Sequence, residues 1–125
     1  MARILAIAGA GALGTTARYL VALGAARWLG ATFPFGTLAV NVVGSFLIAL
    51  FAAYAQASGA LSEATLAILT TGFVGGFTTY SAFNEEVLRL ASSGQGRTAA
   101  LYVVATLVLC ILTGIAGHAA GRSLA

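Results

Sequence analysis

The sequence predicts an all-α integral membrane protein, a single domain over residues 1–125 built from four transmembrane helices with the third one broken. Composition, apolar windows and loop chemistry carry this. Hydrophobic residues make up 60% of the chain and charged residues 7%, where a soluble domain is about 25% charged. Mean hydropathy is +1.00. Six arginines and three glutamates, with no lysine or aspartate, cannot cover a water-facing surface. A soluble monomer of this composition would expose apolar patches far larger than the usual few hundred Å². Four windows are each long enough for a bilayer core about 30 Å thick, which takes about 20 helical residues. The connections between them are short and contain Gly, Pro or Ser, as loops should.

The first window, 4–23, is interrupted only by Thr15, Thr16 and Arg18. Arg3 ahead of an apolar run imitates a secretory leader, but three more spans follow, so a retained helix is expected. Arg18 lies about 8 Å from its helix end at 1.5 Å per residue. It either snorkels to the interface or attracts anions at a pore mouth. The second window, 35–55, begins after Pro34, whose missing N–H costs nothing at a helix start. Thr37, Asn41 and Ser45 recur every four residues and form a polar stripe. Polar groups in lipid need a reason. Asn41 either makes an interhelical hydrogen bond that only holds the bundle or offers a donor to a polar pathway. The fourth window, 99–119, repeats the pattern with Tyr102, Thr106 and Cys110. Such a stripe serves helix packing or lines a groove. Cys110 is the only cysteine, so no internal disulfide forms. It also reads as a small buried apolar residue. His118 falls near the end of this window, at the interface.

The third window, 64–90, is the least regular. It contains Gly72-Phe73-Val74-Gly75-Gly76-Phe77-Thr78-Thr79-Tyr80-Ser81, with three glycines and two threonines near the midplane. In one reading the glycines are close-packing residues. In the other the helix breaks near 75–79. A broken membrane helix survives only where its free backbone groups are buried in protein or line a cavity, and such breaks often coordinate ions. Phe77, Tyr80 and Phe83 follow at three-residue spacing. Their rings pack a core, or present positive edges that an anion can approach.

Other chemistries are poorly served. One histidine, one cysteine and no aspartate build neither a Ser-His-Asp triad nor a set of convergent zinc ligands, so no catalytic residue is assigned and the chain is not read as an enzyme. The net charge of +3 comes from scattered arginines. A nucleic-acid partner needs a cluster or stripe. With both termini on one side, Arg3 and Arg122 oppose Arg27, Arg89 and Arg97, two against three. The positive-inside rule needs a clear excess. Two outcomes stay open: insertion both ways, allowing an antiparallel dimer about a two-fold axis in the membrane plane, or one orientation imposed by packing and the insertion machinery.

Three stretches resemble the Fluc (CrcB-type) fluoride channels: Gly11-Ala12-Leu13-Gly14 leading to Arg18-Tyr19, then Phe35-Gly36-Thr37-Leu38-Ala39-Val40-Asn41-Val42-Val43-Gly44-Ser45-Phe46, then residues 72–86. The likeness covers nearly the whole chain. It implies an antiparallel, dual-topology homodimer in the cell (inner) membrane, passing fluoride passively through two pores along its interface. By that resemblance Asn41 is the pore's amide donor, and Tyr80 and Phe83 occupy the places of paired phenylalanines. Thr106 and Cys110 extend a polar track beyond Tyr102, and Thr37 and Ser81 contribute hydroxyls. The Gly75 and Thr78 carbonyls would hold one structural sodium ion shared by both subunits, and Glu86 matches the acid that follows the aromatic motif. The sequence departs from the family pattern at Tyr80, Ala82, Asn84 and Cys110, where Phe, Thr, Ser and Ser are usual.

The physics agrees. Fluoride is strongly hydrated, so a path must replace its water with donors, and a buried cation lowers the cost of a nearby anion where the dielectric is low. A small multidrug-type exporter would need a membrane glutamate in the first helix, which is missing. A non-transporting scaffold would need packing motifs but no polar stripes.

Overall fold

The structure, a computed structural model, describes all residues from Met1 to Ala125 and is entirely helical. α1 covers Ala2–Leu29 and α2 Phe35–Ser58. The third span starts as α3, Glu63–Ala67, passes through a π-helical stretch, Ile68–Val74, and a short α4, Gly75–Phe77, and continues as α5, Tyr80–Ser92. α6 covers Gly96–Ser123. All four spans are long and apolar enough to cross a membrane.

The helices outrun the apolar windows at nearly every end. A 28-residue helix such as α1 is about 42 Å long at 1.5 Å per residue, against a hydrocarbon core of about 30 Å. Hydropathy falls where polar residues begin, but the backbone ladder continues into the headgroup region. There Arg27 and Arg122 lie in the last turns of α1 and α6.

Only 16 of 125 residues are buried within the chain, and Leu101, Leu107, Ile111 and Ile115 of α6 are exposed. So much exposed apolar surface suits lipid or another protein face, not water.

Two parallel helix pairs make the bundle, and small residues close both. α2 meets α6 at Val42–Thr113, Phe46–Gly117 and Leu50–Gly121, contacts that advance together along the two helices. A Cβ on Gly117 would strike the Phe46 carbonyl, and one on Gly121 the Leu50 carbonyl. α1 lies against the third span in the same way. Gly14 abuts the Phe73 carbonyl, Gly76 abuts the Gly11 carbonyl, and Gly72 sits against Ile7. Gly72–Gly76 and Gly117–Gly121 thus have the small-xxx-small spacing that lets membrane helices approach backbone to backbone.

The third span is interrupted two residues beyond the paired glycines. Gly75 is helical, at φ −61° and ψ −38°. Thr78 (φ −85°, ψ 160°) and Thr79 (φ −155°, ψ 114°) are extended. α5 restarts at Tyr80 with Thr79 as its N-cap, the Thr79 Oγ1 accepting the Ala82 N–H at 3.2 Å. Both sequence readings of this segment therefore hold, each for different residues: Gly72 and Gly76 pack, while the two threonines form the break. The π-helical stretch, in which the Gly75 N–H reaches back to the Thr70 carbonyl, had no counterpart in the sequence reading.

The packing makes a test. Gly117→Leu forces a side chain into the Phe46 backbone, and overpacking of this kind costs about 1–3 kcal/mol. Gly24→Ala, at a helical position with nothing within 4 Å, should be neutral or slightly stabilising. Thermal unfolding in detergent should show a lowered midpoint for the first variant alone. Equal midpoints would contradict the close packing of α2 on α6.

Candidate functional site

A break inside a membrane helix removes donors from the carbonyls before it. In an unbroken helix the Thr79 N–H would donate to Gly75, the Tyr80 N–H to Gly76 and the Ala82 N–H to Thr78. Instead the Thr79 N–H donates to Asn41 Oδ1 at 2.8 Å, and the Ala82 N–H to Thr79 Oγ1. Arg18 Nε and Thr15 Oγ1 supply the Gly76 carbonyl with donors at 3.1 and 3.4 Å. The Gly75 and Thr78 carbonyls have lost their helical donors, and two polar oxygens are left beside the break.

Asn41 holds the extended segment at two points. Its Oδ1 accepts the Thr79 N–H, and its Nδ2 donates to the Thr79 carbonyl at 3.1 Å. The backbone N–H fixes which end of the amide is oxygen. A primary amide has two N–H bonds, so one N–H remains uncommitted. Gly44, one turn later on α2, makes room for the Thr78 methyl, which a Cβ there would strike. Ser45 turns its hydroxyl back to the Asn41 carbonyl at 2.7 Å.

Asn41, Thr78, Tyr80, Phe83, Thr106 and Cys110 line one open groove of about 330 Å³ between α2, the break and α6. Its remaining wall is largely apolar, with Ile48, Val74, Leu107 and Ile111. Thr106 is 6% exposed, and its hydroxyl has no hydrogen-bond partner. That is unusual for a buried polar atom. Tyr80, on the other side of the groove, is 77% exposed, its ring 5.8 Å from that of Phe83.

Behind Phe83 lies a second polar cluster. Glu86 accepts from the Thr37 hydroxyl on Oε1 and from the Tyr102 hydroxyl on Oε2, both at 2.7 Å. Tyr102 is fully buried and stands edge-on to Phe83 at 5.0 Å and to Phe33 at 5.3 Å. Thr37, Glu86, Arg18 and Thr79 share a crevice of about 290 Å³. Thr79 borders both spaces.

The structure thus brings six of the sequence's candidates to one groove and sets the others apart. Thr37 and Tyr102 lie behind it on Glu86, and Arg18 lies beside the break on a carbonyl. Ser81 is exposed, its hydroxyl 3.3 Å from that of Thr79, and Gly75 is also exposed. Two roles went unread in the sequence. Thr79 is where α2 grips the third span, and Glu86 joins α2 to α6. Spacing carries no signal for either, because both depend on tertiary contacts across more than one helix.

Comparison with known proteins places the whole chain among its relatives. The family described as "CrcB-like protein, Camphor Resistance (CrcB)" matches residues 5–118. The chain is 46% identical over 124 residues to a "Fluoride-specific ion channel FluC" of Geobacter sulfurreducens, covering 99% of this chain and 100% of that one. It is 44% identical over 114 residues to the protein of that name in Nitrobacter winogradskyi, covering 91% and 90%. It is 45% identical over 125 residues to the one in an Anaeromyxobacter species, covering 100% and 99%.

Proposed function

The chain belongs to the CrcB-like family, and from that premise we propose that it is a fluoride-selective channel through which cytoplasmic fluoride leaves passively, down its electrochemical gradient. It is a multi-pass membrane protein and an ion channel rather than an enzyme. The observation that carries the reading at residue level is the groove at the helix break. There one uncommitted N–H of the Asn41 amide and the partnerless Thr106 hydroxyl belong to residues that line the same space.

Fluoride gives up tightly held water only where donors replace it. In the proposed path Asn41 Nδ2 and Thr106 Oγ1 donate to the ion, the Cys110 thiol follows one turn along α6, and Phe83 and Tyr80 offer ring edges. Thr37 and Tyr102 spend their hydroxyl protons on Glu86. This keeps its carboxylate, which would repel an anion, out of the groove. Passive flow is enough. Fluoride enters cells from acidic surroundings as neutral HF and ionises in the near-neutral interior, and a negative membrane potential then drives the anion out.

The active unit in this reading is an antiparallel, dual-topology homodimer. Its support is the groove's open side, the exposed Tyr80 and the nearly even arginine count. The Gly75 and Thr78 carbonyls fit a hard cation, because they are oxygen donors that have lost their helical partners. Paired across a two-fold axis they would offer four oxygens to one sodium ion. Such an ion would satisfy carbonyls that are costly in a dry interior and favour anions nearby.

Vesicles containing the purified protein and loaded with fluoride should empty once valinomycin supplies a potassium counterflow. Chloride-loaded vesicles should not, and equal rates would overturn the assignment. Asn41→Asp replaces the donor with an anionic acceptor. Losing a hydrogen bond to a charged group costs about 1.5–3 kcal/mol, so fluoride flux should fall roughly tenfold or more. Unchanged flux would remove Asn41 as a donor to the ion. Replacing sodium with N-methylglucamine throughout purification and assay should slow fluoride flux, while sodium itself is not carried. Full flux without sodium would remove the structural-ion proposal.

A further inference from the structure

Cys110 is half-buried, with a free thiol. It lines the groove one helical turn beyond Thr106, whose hydroxyl is more than nine-tenths buried and without a partner. Side chains four apart on a helix stand about 5–6 Å from one another. A metal–thiolate bond spans about 2.3 Å, so an ion held on the sulfur comes within reach of the Thr106 oxygen. No acid lines this groove, and its remaining wall is largely apolar. Nothing there competes for a soft ion, and soft thiolates select soft metals.

We propose that Cys110, seconded by Thr106, is a capture site for small thiophilic metal species, and that capture there plugs the groove. The reaction is an exchange without redox change. The S–H bond and the metal's bond to its chloride or water ligand break, a sulfur–metal bond forms, and the proton and the displaced ligand leave to the bulk. A methylmercury cation is small and half apolar, and Leu107 and Ile111 supply apolar wall beside Cys110 in the same groove. A serine at this position would leave the groove without a soft ligand, so the sensitivity belongs to the cysteine of this chain. The plugging half of the proposal rests on the groove's being the fluoride path. The capture half does not.

Methylmercury chloride is the probe, applied to the full-length protein in vesicles, with two readouts. Intact mass should rise by one methylmercury adduct per chain, and fluoride efflux should fall at least tenfold relative to the untreated sample. Dithiothreitol should reverse both. Cys110→Ser, compared with its own untreated rate, should gain no mass and lose no flux. Thr106→Val keeps the thiol but lacks the second contact, so its adduct should leave faster under dithiothreitol. If the wild-type protein conducts fluoride but takes up no methylmercury, the capture site is refuted and the channel reading stands. If the adduct forms fully and flux is undiminished, the plug is refuted, and with it the groove as the conduction path. Inhibition that persists in Cys110→Ser would also overturn the proposal.

Discussion

A helix interrupted inside a bilayer leaves backbone groups that water cannot reach, and each one unsatisfied costs several kcal/mol. That constraint organises this molecule. Thr78 and Thr79 are extended within a membrane span, and the surrounding side chains answer the groups this frees. Asn41 takes both the N–H and the carbonyl of Thr79, and Arg18 and Thr15 take the Gly76 carbonyl. Glycines bring these partners close enough. Gly14, Gly72 and Gly76 press α1 onto the third span, and Gly44 admits Thr78. The polar residues of α1 and α2 are therefore first of all the hydrogen-bonding environment of a broken helix. The conduction path proposed for them is built on that.

The break also decides what the groove can offer. Asn41 keeps one N–H after gripping Thr79, and Thr106 keeps its hydroxyl because no neighbour claims it. Most other polar side chains near the break are already engaged: Ser45 with a carbonyl, Thr37 and Tyr102 with Glu86, Arg18 with Gly76. A site with few uncommitted donors and mostly apolar walls suits a small anion that must exchange water for well-placed N–H and O–H groups. Tyr80 and Cys110 change the details of this lining without adding charge to it.

Much of the fold was legible because hydropathy and helix length are properties of composition. Four windows marked four helices, and Gly75-Gly76 followed by Thr78-Thr79 marked the interruption to within two residues. The helix ends were less legible, since an apolar window measures hydrocarbon and not the hydrogen-bond ladder. The site was readable in its parts but not in its connections. Four-residue spacing put Thr37 and Asn41 on one stripe, yet Thr37 turns to Glu86 and Asn41 to Thr79. Sequence offers Arg18 as a snorkelling residue or a mouth for anions, and in the structure its guanidinium donates to the Gly76 carbonyl, which lacks a helical donor because the helix breaks. Such pairings depend on how three helices meet, and no local pattern encodes them.

If the two-point grip of Asn41 on Thr79 is what holds the interruption open, the Thr79 amide is the most direct witness. Although it lies outside any helix, its hydrogen exchange in the lipid-embedded native protein should be as slow as that of the helical amides around it. In Asn41→Leu it should become selectively fast. Exchange at Thr79 as fast as in the loop at 31–33, whose amides make no backbone hydrogen bond, or protection unaffected by loss of the Asn41 amide, would contradict the account.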